Sequence, residues 1–223
     1  MTFQNLASIG HTEDYNLGWV VAGGVGYYAK SLASVTGAPF GEIAFRKGWL
    51  AGPRGLLLLD AAYRGRREDD GWRDAVGRAA LTVYNRSLEG QTLAAHINIA
   101  SSTRPDTADW LYLGGRDGLR GYVDHFLAGD RRVTLSVEDR LITSWRPLGL
   151  LQVGFVAYAD AGLIRRSDTG RWSRTYANVG GGLRFGRPKS ARGSLLQVSV
   201  AMPIAPDAGV DRLLVVLGNS VGF

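Results

Sequence analysis

Alternation of apolar and polar residues with a period of two runs through most of this chain, and it constrains the fold more than any other feature. Between Arg132 and Ile142, Val133, Leu135, Val137 and Leu141 share one face, and Thr134, Ser136, Glu138 and Arg140 share the other. Successive side chains of an extended strand point to opposite sides, so such a segment has one apolar and one polar face. Leu151–Ala161 repeats the pattern, with Val153, Phe155, Ala157 and Ala159 against Gln152, Tyr158 and Asp160. Thr175–Gly186 sets Ala177, Val179, Leu183 and Phe185 against Tyr176, Asn178 and Arg184. Leu195–Met202 and Arg212–Phe223 follow suit, as do Gln91–Ser101 and Ala75–Arg86 upstream. Leu56–Arg66, Gly41–Leu50 and Leu17–Lys30 also read as strands, which makes ten, and Phe3–Gly10 is a further candidate. Turn chemistry separates them, as in Ala51-Gly52-Pro53-Arg54-Gly55 and Glu68-Asp69-Asp70-Gly71, where proline presets φ and glycine or Asx residues accept positive φ. The chain therefore reads as all-β and antiparallel, a single domain over 1–223, with no linker and no repeat beyond the hairpin rhythm.

The chemistry of the two faces selects between a soluble β protein and a membrane barrel. The polar faces carry Arg, Glu, Asp, Gln, Tyr and Asn in register over many strands, where a small soluble barrel fills its interior with aliphatic side chains. The apolar faces mix Leu, Val, Ala, Phe and Gly, which suits lipid, a solvent that demands no jigsaw packing. The last strand ends on Phe223, and a terminal aromatic there is the usual assembly signal of bacterial outer-membrane barrels. No window approaches 18 uncharged apolar residues, so no membrane helix is expected, but barrel strands need only about 9–11 residues each. These features favour an antiparallel transmembrane β-barrel, with a soluble sandwich or soluble barrel as the competing reading. Single-chain bacterial barrels have even strand numbers, so about twelve strands are expected, with ten next. Trp19, Trp49, Trp72, Trp110, Trp145 and Trp172, near strand ends, suit interfacial girdles. The first sixteen residues, with no basic region before an apolar core, do not read as a signal peptide.

One stretch, about 103–130, breaks the alternation. It holds a glycine-bracketed arginine, Gly118-Leu119-Arg120-Gly121-Tyr122. This motif resembles that of the bacterial surface antigen barrels, the superfamily of the BamA and TamA assembly factors and the two-partner secretion transporters. Leu119 stands where valine is commoner and Tyr122 where phenylalanine is commoner. The resemblance is good from about Trp110 to Phe223 and weaker before it. It implies a long extracellular loop folded back into the barrel lumen, with Arg120 at its tip. It also implies that an inward glutamate and an inward aspartate on the next two strands receive the arginine. The matching positions are Glu138 and Asp160, and the alternation had independently placed both on the polar face. A guanidinium offers five donors in a planar fork, suited to two carboxylates. Gly118, Arg120, Gly121, Tyr122, Glu138 and Asp160 are thus the expected loop-lock residues, structural rather than catalytic. The plain alternative is that Arg120 is a solvated loop residue. The family barrel has sixteen strands and follows periplasmic POTRA domains, and this chain has neither that length nor those domains.

Composition removes other classes. No cysteine is present among 223 residues, which excludes a disulfide framework and thiolate metal sites. The net charge of +6 comes without a dense basic block, since Arg64-Gly65-Arg66-Arg67 runs straight into Glu68-Asp69-Asp70; no nucleic-acid partner is expected. Three histidines without clustered carboxylates give no metal site, and no cofactor is expected. His96 lies on a polar face where Ser136 could approach it, but nothing orients the two as base and nucleophile. The resemblance implies an outer-membrane location, in contact with lipid bilayer and lipopolysaccharide. It implies action in outer-membrane protein insertion or polypeptide translocation, with client polypeptides as partners and no enzymatic activity. The alternatives are a membrane anchor, scaffold or passive pore within a larger fusion and, less favoured, a lipid-modifying barrel enzyme. If one chain falls short of closure, a homodimer is the expected way for two copies to complete one another.

Overall fold

The computed structural model describes residues 1–29, 37–104, 110–187 and 195–218. Its strands are β1 (Thr2–Gln4), β2 (Thr12–Asp14), β3 (Trp19–Tyr28), β4 (Ala38–Leu50), β5 (Gly55–Glu68), β6 (Gly71–Asn85) and β7 (Gln91–Thr103). They continue with β8 (Leu111–Leu113), β9 (Leu127–Gly129), β10 (Arg131–Ile142), β11 (Gln152–Arg165), β12 (Tyr176–Gly186), β13 (Leu195–Ile204) and β14 (Leu214–Gly218). Ten of them form one antiparallel sheet in the order β3-β4-β5-β6-β7-β10-β11-β12-β13-β14. Each of the ten alternating segments read from the sequence supplies one of these strands. The sheet thus holds ten strands against the twelve expected for a ring, and among the described residues no pairing joins β3 to β14.

The Phe3–Gly10 segment is not a strand of this sheet. Its start, β1, pairs instead with β2. Only one connection in the large sheet skips strands. Between β7 and β10 the chain leaves to form the β8–β9 hairpin and a short 3-10 turn at Gly115–Asp117, then returns. That excursion matches the interval where the alternation fails. Phe223 lies outside the described residues.

Burial across the sheet is the reverse of that in a soluble β protein. On β10, Leu135 and Val137 are 43% and 44% exposed, whereas Glu138 and Arg140 are only 4% and 3% exposed. The register extends this across neighbours. Leu141, Phe155, Leu183, Val198 and Leu217 form one apolar row over five strands. Thr82, His96, Ser136, Asp160 and Asn178 form a polar row over five strands on the other face. Strand pairing supplies the register, so a slip of one residue would exchange the two faces entirely. The six tryptophans sit at strand ends and are all exposed. Trp19, Trp49 and Trp145 mark the end that carries the β4–β5 and β6–β7 turns, and Trp72, Trp110 and Trp172 mark the opposite end.

The N-terminal hairpin covers part of the polar face at the end of the β4–β5 and β6–β7 turns. Leu6 and Ile9 are buried, and Leu6 packs with Phe3, Leu56, Tyr84 and Ala94. Its backbone is gripped from three strands. Thr92 Oγ1 donates to Asn5 O at 2.9 Å, Arg140 Nη1 to Leu6 O at 2.8 Å, and Arg184 Nη2 to Ala7 O at 2.7 Å. The loop between β1 and β2 wraps around Glu13, whose carboxylate accepts from the N–H groups of Ala7 and Ser8, from Ser8 Oγ and from Tyr15 Oη. Burial by itself raises the Glu13 carboxyl, but the bonds from Ser8, Tyr15 and Ala7 together hold it below its ordinary value. A depressed carboxyl contributes stability above its unfolded pKa and loses it as pH falls through the folded one. The hairpin should therefore loosen below about pH 4, read as new chymotrypsin cleavage after Tyr15. Glu13→Gln should loosen it already at neutral pH and flatten that acid dependence. Leu6→Ala should expose the same bond at every pH, with a loss of about 2–4 kcal/mol for the buried leucine.

Candidate functional site

The excursion between β7 and β10 turns back onto the polar face and presents Arg120 to it. A four-residue turn makes the tip, closed by the Tyr122 N–H donating to Leu119 O at 3.0 Å, with Arg120 and Gly121 at its centre. Gly118 enters the turn at φ +95°, in the left-handed region, with the Thr134 side chain 3.0 Å from where a Cβ would stand. Gly121 lies against the wall: a Cβ there would meet Asn178 at 2.5–3.0 Å. Glycine is thus required at one position for conformation and at the other for space. Tyr122 anchors the tip, buried with Leu113, Leu119, Ile164 and Tyr176, and its hydroxyl donates to Ala177 O at 3.3 Å. Phe126 and Tyr176 pack on its ring at centroid distances of 4.8 and 5.7 Å. Arg132 of β10 holds the base of the excursion, donating to Tyr112 O at 2.6 Å and pairing with Asp117.

Arg120 meets both expected carboxylates. It grips Asp160 in bidentate fashion, through Nε at 2.9 Å and Nη2 at 2.6 Å, and its Nη1 pairs with Glu138. Its backbone N–H also donates to Asp160, at 3.3 Å. Asp160 is wholly buried and Glu138 nearly so. Burial disfavours the guanidinium charge, yet the bonds to Asp160 and the charges of Asp160 and Glu138 outweigh it, and Arg120 is held above its ordinary pKa. It stays charged, and the cluster is a fixed electrostatic clasp.

Four further partners were not singled out for this site from the sequence. Ser136 Oγ accepts from Arg120 Nη2 at 2.8 Å and donates to Asp160 at 2.7 Å. Asn178 Nδ2 donates to Asp160 at 2.9 Å. The Tyr158 ring lies flat beneath the guanidinium, 3.6 Å from its carbon, packs over Gly180, and has its hydroxyl 3.1 Å from Ser199 Oγ. Arg140 Nε takes the second oxygen of Glu138 at 2.7 Å. The register places all four on the polar face, so the alternation carried that part of the signal; their convergence on one arginine was not legible. Ser136 and His96 are cross-strand neighbours. Even so, the serine hydroxyl is shared between Arg120 and Asp160, while His96 Nδ1 lies 2.9 Å from Thr82 Oγ1.

No group of metal-ligating side chains gathers among the described residues. The chain matches no protein-family model and no curated protein.

The cluster predicts a graded mutational series. Arg120→Ala leaves buried Asp160 without a cation and Glu138 with Arg140 alone, and should cost about 3–5 kcal/mol in equilibrium unfolding. Arg120→Lys keeps the charge without the fork and should fall between the two. In a double-mutant cycle, Arg120→Ala with Asp160→Ala should show a coupling energy of at least about 1 kcal/mol.

Proposed function

We propose that this chain forms a β-barrel domain of the bacterial outer membrane, of the surface-antigen type, and serves membrane-protein insertion or polypeptide translocation. The observation that carries this reading is the clasp itself: an Arg-Gly-Tyr loop tip seated on a glutamate and an aspartate of consecutive strands. In that setting the polar face lines the lumen and the excursion is an inserted extracellular loop. The inverted burial supports it, because a face of half-exposed leucine, valine and phenylalanine is costly in water and stable in lipid. Strand length supports it too. Strands β4–β7 of 13 to 15 residues reach roughly 40–50 Å, and a tilt of about 45° brings that to the ~30 Å of a hydrocarbon core. Three exposed tryptophans at each end of the sheet suit the two interfaces. The edges of β3 and β14 would then close on one another, on further chain or on a second copy. A lumen occupied by the loop and the N-terminal hairpin favours a gated polypeptide machine over an open passive pore.

A charge on the outward face separates lipid from water. Val137→Arg, in the middle of β10, should destabilise the protein in bilayers by about 2–4 kcal/mol. If that face meets water, the same exposed change should stay within about 0.5 kcal/mol. For the activity, proteoliposomes carrying the protein should accelerate insertion of an unfolded barrel client. Arg120→Lys, folded and inserted, should lose most of that acceleration. Equal client insertion by empty liposomes would overturn the proposed function.

A further inference from the structure

The clasp leaves one buried cation unanswered. Arg184 of β12 is 3% exposed. Its Nη2 donates to Ala7 O, but its Nε is buried without a hydrogen-bond partner, and no carboxylate pairs with it among the described residues. Its cross-strand neighbours explain why: they are Gly154 on β11 and Gln197 on β13, neither of them charged. The nearby carboxylates are already engaged. Glu138 is divided between Arg120 and Arg140, Asp160 is held by Arg120, Ser136 and Asn178, and Glu13 is enclosed by its own loop. An isolated buried charge costs several kcal/mol unless an opposite charge meets it.

The missing partner has room. Arg184, Arg140, Arg120 and Gln197 line a cavity of about 270 Å³ beside the loop tip on the polar face. That is space for several waters or for one small oxyanion. On its wall Arg120, Arg140 and Arg184 stand with Glu138 and Asp160, and the exposed Arg116 pairs with Asp124, so the wall carries an excess of positive charge. The Gln197 side chain makes no hydrogen bond among the described residues, which leaves its amide free to donate into the same space.

We propose that Arg184 and Gln197 bind a free phosphate-class oxyanion in this cavity, with Arg140 adding to the field. Arg184 supplies a guanidinium N–H from Nη1, since Nε is wholly enclosed and Nη2 is held by Ala7 O; Gln197 supplies an amide N–H, and the anion neutralises the excess charge. Because the cavity opens from the polar face, the source is a free ion rather than a lipid headgroup. The site rests on these side chains alone and stands whether or not the chain moves polypeptides.

The test is thermal unfolding of the purified protein in detergent with inorganic phosphate, against chloride at matched ionic strength. At a hundredfold excess over Kd, Tm should rise by about 5 °C. Arg184→Met should abolish that rise; its starting Tm reflects two opposed changes, loss of the bond to Ala7 O and removal of a buried unpaired charge. Gln197→Leu should weaken the affinity about tenfold. A parallel arm with short-chain phosphatidic acid in the micelle should show no saturable rise. The proposal is overturned if wild-type Tm ignores phosphate, if Arg184→Met responds as wild type does, or if only the lipid arm responds. Should Arg184→Met fail to fold, a phosphorus NMR titration of phosphate line-broadening decides the same question: saturable with the wild type, shifted to about tenfold higher phosphate with Gln197→Leu, and no saturable broadening by the wild type overturns the proposal.

Discussion

A single guanidinium, flat on a tyrosine ring and forked between an aspartate and a glutamate, organises the polar face of this protein. Buried carboxylates on neighbouring strands repel one another and are poorly solvated, so each needs a fixed positive partner. Arg120 is that partner for Asp160 and for one oxygen of Glu138, and Arg140 takes the other oxygen. Because Arg120 belongs to the excursion, satisfying the strands places the loop. Because Arg140 also donates to Leu6 O, the same glutamate stands one bond away from the N-terminal hairpin. The loop and the hairpin therefore rest on shared charges, although they approach the sheet from different ends.

This arrangement is specific more than it is strong. The net stability of a buried ion pair is small, because its attraction offsets the desolvation of both charges. The penalty for a wrong arrangement is large, since a displaced loop would leave buried Asp160 without a cation and Glu138 with Arg140 alone. A charged interior of this kind selects one loop position among many. An aliphatic interior would have been as stable without that discrimination. The proposed outer-membrane setting is consistent with such a division of labour: the outward face needs only to be apolar, while the inward face carries the positional information.

How much was legible in the sequence varied with the physics involved. Strands announced themselves because the side-chain period is local, and all ten segments of the large sheet were readable from it. Glu138 and Asp160 were readable because register and the Arg-Gly-Tyr motif pointed to the same residues. Phe3–Gly10 misled, since its apolar residues suit a strand; in fact Leu6 and Ile9 are buried by packing across the sheet's polar face, with Glu13 wrapped by the loop. No local pattern reports that. Tyr158 and Ser136 likewise looked like ordinary polar-face residues until the loop arrived above them.

The sequence by itself determined the element type, the two faces, the site of the interruption and the charges available for a clasp. These follow from backbone geometry that acts between adjacent residues. Only the tertiary structure decided which charges meet, that a tyrosine ring floors the arginine, that the first fifteen residues fold over the sheet, and that Arg184 is left without a counter-charge. Those outcomes depend on contacts between residues far apart in the chain, such as Arg120 with Asp160 and Arg184 with Ala7. Their energies arise from desolvation, which exists only once the strands have assembled and excluded water.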